Sequence, residues 1–175
     1  MISINKVNTK KLKKAIKDYK KNAIVEIQGV NLNTASNISE IAKKNVNVDR
    51  GTLRNSIRVD NFEEINYNVG TSLPYAPYIE FGTGRKVKIP AEFKDLANKA
   101  RKNKGQSFDK GLENIKRWCK RKGIDVKFAY VIFVNLLTNG MEAKPFFYPA
   151  FVQGRKSYNK DIKNALERLS KKFNK

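Results

Sequence analysis

The sequence predicts an α+β fold: a small, mainly antiparallel sheet packed by a long amino-terminal helix and a carboxyl-terminal helix, with a helical insertion between them. Three patterns carry this. Apolar residues recur at three- and four-residue steps from Leu12 to Val30 and again from Ala35, and a similar stripe runs from Phe151 to Phe173. Between the two stripes, from Ile57 to Val69, apolar and polar positions alternate. The first two periods place one face of a helix in a core, and the third places one face of a strand there. With 175 residues, 40% of them hydrophobic, the chain is long enough for a single domain over 1–175, with a basic helical insertion at about 85–141.

Asn8 and Thr9 are both capping residue types, so the first helix begins after one of them. Leu12, Ile16, Tyr19, Ala23, Ile27 and Val30 form its apolar stripe, and eight lysines between Lys6 and Lys21 take the solvated faces. Gly29 and Asn31 to Asn33 weaken the middle, while Ala35, Ile38, Ile41 and Ala42 resume the period. One long bent helix or two consecutive helices therefore reach about Lys44. Asp49-Arg50-Gly51 sets a turn former beside the residue that tolerates positive φ, and should end the helix and launch a strand. Ile57 and Val59, then Ile65, Tyr67 and Val69, alternate with polar residues across the interruption at Asn61, Glu63 and Glu64, as in a hairpin with one buried face. A third strand is expected at Tyr78 to Phe81, ended by Gly82-Thr83-Gly84.

Ile89-Pro90-Ala91-Glu92 opens a new segment. Lys99 to Gly105, in which five of seven residues are basic or glycine, reads as an exposed, mobile connection. Ser107 can cap a short helix bearing Leu112, Ile115 and a buried Trp118, closed by Gly123 after the cations Lys120-Arg121-Lys122. Val126 to Leu137 is apolar on every side, and periodicity does not separate a buried helix from a strand there. Phe146-Phe147-Tyr148 between Pro145 and Pro149 suits an extended segment that anchors the last helix. That helix carries Phe151, Tyr158, Ile162, Leu166, Leu169 and Phe173, and is expected to pack on the sheet.

Composition narrows the chemistry. There is no histidine and a single cysteine, Cys119. This leaves no catalytic triad, no usual zinc ligand set and no internal disulfide. The sixteen acidic residues are scattered, with no Asp-x-Asp or Glu-x-Lys cluster at a strand end to hold a nuclease metal. No catalytic, cofactor or metal residue is assigned, and an enzyme is not expected. Gly82 and Gly84 invite a phosphate-loop reading, but neither the six-residue glycine pattern nor a following Lys-Ser/Thr pair is present, and a turn is the simpler cause. Cys119 between Trp118 and Lys120 could be a thiol activated by cations; a small packing residue is the more economical reading. No run of about eighteen apolar residues occurs, and the first residues lack the apolar stretch of a signal peptide. A soluble protein with no membrane partner is expected.

Three blocks stand out in order: Val48-Asp-Arg-Gly-Thr-Leu-Arg-Asn-Ser-Ile57, Tyr75-Ala-Pro-Tyr-Ile-Glu-Phe-Gly-Thr-Gly84 and Lys144-Pro-Phe-Phe-Tyr-Pro-Ala150. Together they resemble the small neck, or head–tail joining, proteins of long-tailed HK97-type bacteriophages, often labelled tail components. The positions that carry the resemblance are Asp49, Gly51, Leu53, Arg54, Ile57, Tyr78, Glu80, Phe81, Gly82, Gly84, Pro145 and Phe146. Arg50 stands where the family usually has Thr, and Asn47 where Pro is common. The resemblance implies helix for Val126 to Leu137, because many members insert a helical stretch ending Asn-Gly, here Asn139-Gly140. It also implies a virion part: a homo-oligomeric ring, sixfold or twelvefold, joining the portal, connector or head-completion proteins of the DNA-filled head to the tail terminator or tail proteins. Host cytoplasm would hold it before assembly. A tail-terminating ring or minor tail protein is the nearest alternative.

The formal charge of +21 raises a rival, a nucleic-acid-binding protein. Only nine of the 37 basic residues are Arg, the residue suited to bidentate phosphate and base contacts, and no nucleic-acid-reading motif accompanies them. Between Arg85 and Lys122 fourteen basic residues face four acidic ones. A cyclic ring needs two different patches per subunit. The hairpin with the Tyr75 to Phe81 strand and the basic insertion are the best candidates for them, with Tyr75, Tyr78, Lys99, Arg101, Lys102 and Lys104 as the candidate subunit or ring interface residues. An acidic protein neighbour is favoured over non-specific contact with packaged DNA, because a channel through which DNA slides gains nothing from tight phosphate contacts.

Overall fold

The computed structural model describes residues 9–47, 49–83, 89–101 and 107–173. The chain forms two compact units, one built from residues 1–71 and 146–175, the other from 72–145.

The first unit is organised by α1, Thr9–Asn45, one uninterrupted helix about 55 Å long. Gly29 lies on its exposed side and does not break it. Val30, Ala35, Ile38, Ser39 and Ala42 are its buried positions. Their three- and four-residue spacing confirms the expected apolar face, although the burial is confined to the second half. The last helix of the chain, α7 (Phe147–Phe173), runs antiparallel along α1. Gly154 allows the close approach: a methyl group there would collide with Ile38 Cγ1 and Cδ1. Toward the other end Arg168 Nη2 pairs with Glu26 at 3.0 Å, Lys172 donates to Asn22 Oδ1 at 2.5 Å, and the Tyr19 and Phe173 rings meet edge to face. The expected contact of this helix with the sheet is thus chiefly a contact with α1.

Gly51, at φ +76°, adopts the left-handed backbone that the Asp49-Arg50-Gly51 turn requires. The strand does not follow at once. A single helical turn, α2 (Thr52–Ser56), intervenes and buries Leu53. Then β1 (Arg58–Glu63) and β2 (Asn66–Gly70) pair antiparallel, Val59 opposite Val69, with an irregularity between Asn61 and Glu63 that leaves Phe62 out of register. This hairpin is the whole sheet among the described residues. Its turn is tied to α1 by Gln28 Nε2, which donates to Glu64 O, and Asn31 Nδ2, which donates to Ile65 O, both at 2.6 Å.

In the second unit the expected third strand is a helix, α3 (Ala76–Phe81). Pro77 in its first turn presets φ and needs no donor, and Ala76, Glu80 and Phe81 are buried at a helical interval. A 3₁₀ turn at Ala91–Phe93 leads into α4 (Lys94–Arg101), which packs on α3. Helix α5 (Phe108–Lys122) starts at Ser107 and stops at Gly123, φ +67°, as its terminal residues require. Its fully buried residue is Cys119, while Trp118 is only half-buried, which reverses the expected anchor. The apolar run is helical: a 3₁₀ turn at Val126–Phe128 continues into α6 (Ala129–Asn139), packed on α5 with Phe133 over Gly111 and against the Phe108 ring. Asp125 caps this segment. Its carboxylate accepts from the Lys127 amide and pairs with the Lys127 ammonium, which together hold its pKa below the usual carboxylate value.

Candidate assembly surfaces

The first block is a structural joint of the first unit. Leu53 and Ile57 are buried, the latter almost completely, while Asp49 and Arg54 face solvent. The Asn55 amide donates to Gly51 O at 2.8 Å, and the Ser56 hydroxyl donates to Leu53 O and shares a hydrogen bond with the Thr71 hydroxyl at 2.6 Å. These contacts fix the entry and exit of the hairpin. The end of the third block joins the same unit through Phe146, which is buried and whose carbonyl accepts from Asn45 Nδ2 at 3.2 Å.

The second block forms its own clasp. Glu80 and Phe81 are buried, and Phe81 packs against the Phe93 ring. The Thr83 amide donates to Met141 O at 2.9 Å, the Met141 amide donates to Thr83 Oγ1 at 2.7 Å, and the Lys144 amide donates to Ile79 O at 2.8 Å. Residues 79–83 are therefore stitched to 141–144. Gly82 stands between them at φ +63°, ψ −179°, a region open in practice only to glycine. A Cβ there would lie 2.6 Å from Met141 O and 2.8 Å from Ala143 N. This glycine serves a close backbone approach, as the turn reading holds. Gly84 lies outside the described residues.

Of the expected interface residues, Tyr75 and Lys99 are exposed and Tyr78 is half-buried on α3. Arg101 ends α4, while Lys102 and Lys104 lie outside the described residues. Pro145 is exposed just before Phe146.

The structure shows three exposed apolar surfaces: the hairpin is one of the patches the sequence offers, whereas the tip of α1 and the α6 face were passed over by the periodic reading. Beyond the Tyr19–Phe173 contact, residues 9–18 of α1 continue for about 15 Å past the last described residue of α7. Leu12 and Ile16 on this tip are 50% and 60% exposed, so among the described residues nothing covers the stripe read as core here. At the hairpin, Phe62 lies at the irregularity in register and is 68% exposed, the highest value among the large apolar side chains described. Phe62 forms one lip of a groove of about 580 Å³ whose walls include Ile38, Tyr67, Val69, Phe151 and Tyr158. Asn31 Oδ1 and Thr34 Oγ1 lie sealed at its α1 wall without a hydrogen-bond partner among the described residues. In the second unit α6 leaves Tyr130, Val131, Val134 and Leu137 exposed along one face. An excess of lysine around an apolar stripe was the available signal for the first surface and the strand alternation for the second, while the α6 face depends on the direction of packing.

Among the described residues, no three acidic or cysteine side chains converge as metal ligands, and no helix is long and apolar enough to cross a membrane. Residues 6–82 match the HK97-gp10-like family model, described as "Bacteriophage HK97-gp10, putative tail-component". The matched span takes in α1, the Asp49–Ile57 block, the hairpin and the second block as far as Gly82; the third block and the basic insertion lie beyond it. Neither a curated protein nor a solved structure matches the chain.

Proposed function

We propose that this chain is a structural subunit of a long-tailed phage particle, and within it a neck component that assembles as a ring and joins the DNA-filled head to the tail. The observation that carries the reading is the match of residues 6–82 to a family described as a phage tail component. The chain's own blocks support the finer placement, since the resemblance extends past the matched span through Lys144-Pro145-Phe146. A structural rather than catalytic role fits a sequence without histidine, in which Leu53, Ile57, Phe81 and Phe146 of the motifs are buried and Gly51 and Gly82 serve positive-φ backbone. A ring needs unlike patches on one subunit, and the tip of α1 and the hairpin supply an apolar–basic and an apolar–acidic surface.

Deleting the gene from the phage tests the placement. A joining component predicts normal filled heads and separate, normal-length tails that combine when the purified protein is added. Tails of uncontrolled length would assign the protein to tail termination, and normal particles would remove it from assembly.

A further inference from the structure

We propose that copies of this chain associate head to tail, with the amino-terminal tip of α1 of one copy seated on the β hairpin of the next. The inference deepens the ring reading above and rests on it. The tip presents Leu12 and Ile16 with Lys13 and Lys20 alongside, since Lys13, Ile16 and Lys20 follow one another at three- and four-residue steps on the helix surface. Residues 9–21 hold seven lysines and one acidic residue, Asp18. The hairpin presents the outward Phe62 beside Glu63 and Glu64. Asp60, Glu63 and Glu64 make this the only five-residue stretch of the sequence with three carboxylates. Asp60 is engaged by Arg58 at 3.1 Å, which leaves the two glutamates at the hairpin end as its net charge.

Charge complementarity selects the occupant. Copies carrying a net charge of +21 repel one another in almost every orientation, so a stable contact between them must register lysines on an acidic cluster. The hairpin is the densest such cluster and the tip of α1 is a dense lysine segment with exposed apolar side chains. The two patches do not overlap. Because Gln28 and Asn31 tie the hairpin turn to α1, the span from Leu12 to that anchor is about 24 Å along the helix. One copy can therefore offer its tip to one neighbour and its hairpin to another, as a heterologous chain or ring requires. Phe62 and the apolar groove behind it receive Leu12 and Ile16, while Glu63 and Glu64 meet Lys13 and Lys20.

The test is sedimentation of the purified full chain and three charge-reversal variants over a range of concentrations at fixed ionic strength, with circular dichroism to verify folding. Glu63→Lys with Glu64→Lys, and separately Lys13→Glu with Lys20→Glu, should each weaken self-association by about tenfold or more. The variant carrying all four changes should recover it, because the reversed patches again match. A monomeric wild type, folded double variants that associate like the wild type, or a folded quadruple variant that stays dissociated would each overturn the interface. Loss of duplex-DNA retention by the α1 variant with self-association intact would make nucleic acid the occupant of the tip and overturn it as well. Oligomers that persist in the double variants leave the ring reading standing with a different interface, whereas failure of head–tail joining as the protein's role is read from particles and not from this assay.

Discussion

Gly82→Ala should damage the second unit severely, and the geometry sets the size of the loss. At φ +63°, ψ −179° the backbone is in a region that costs a residue with a side chain about 1–3 kcal/mol. The added methyl would also sit 2.6 Å from Met141 O and 2.8 Å from Ala143 N, both backbone atoms that cannot rotate aside. Relief requires residues 79–83 and 141–144 to part. That movement breaks the two Thr83–Met141 hydrogen bonds and the Lys144–Ile79 bond, at on the order of 1 kcal/mol for each. The expected loss is about 4–6 kcal/mol. Urea unfolding measures it, and hydrogen exchange at the Thr83 and Lys144 amides locates it. Gly29→Ala is the matched control. Gly29 lies within α1 with nothing near its missing Cβ, so alanine there should stabilise by about 0.5–1 kcal/mol. If Gly82→Ala stays within about 0.5 kcal/mol of wild type with protection intact, the close-approach argument is wrong.

Three further outcomes are expected. Thr34→Val should stabilise the first unit by about 1 kcal/mol, because it removes a sealed hydroxyl without a partner at nearly constant volume; a loss in thermal unfolding would show that the hydroxyl is satisfied in solution. The Lys127 amide resonance should titrate with a midpoint below that of ordinary exposed carboxylates. Since the folded pKa of Asp125 is depressed, its contribution is present above the unfolded value and is lost as pH falls through the folded one; Asp125→Ala should abolish the titration. Changing Lys99, Arg101, Lys102 and Lys104 together to Gln should reduce head–tail joining in a complementation assay while leaving unfolding nearly unchanged. Intact joining would make that charge a solvated surface, and intact joining with defective DNA retention would make it a DNA contact.

Helices α1, α5 and α7 and the hairpin were legible because each repeats a period over several turns or pairs, whereas α6, apolar on every side, has no such period. Leu12 to Ala42 kept its phase through Gly29 and three asparagine-rich positions, and tertiary packing against α7 holds the helix across them. That Val59 and Val69 share one face follows from the alternation, while their pairing opposite each other is set by the hairpin register. The short elements were not legible. Tyr78-Ile79-Glu80-Phe81 has strand-prone residues, yet Pro77 and the four-residue step from Ala76 to Glu80 were the better guide to one and a half helical turns. At Trp118 and Cys119 periodicity places two adjacent residues near the same face, and the smaller one takes the fully buried position. The candidate surfaces were the least readable. Leu12 and Ile16 share the period of the core stripe, and among the described residues it is the reach of α7 to Tyr19 that decides that they are exposed. Phe62 shares the outer strand face with Arg58 and Asp60, and its apolar character there is what the alternation by itself does not explain.

Quantitative mass spectrometry of purified phage particles, tails and heads would show whether the protein is a built-in part of the virion at the head–tail junction. The protein should be present in whole particles in a fixed ratio to the portal, in the few-copy range of one symmetric ring. Its presence only in infected cytoplasm, with none in purified particles, would contradict this placement.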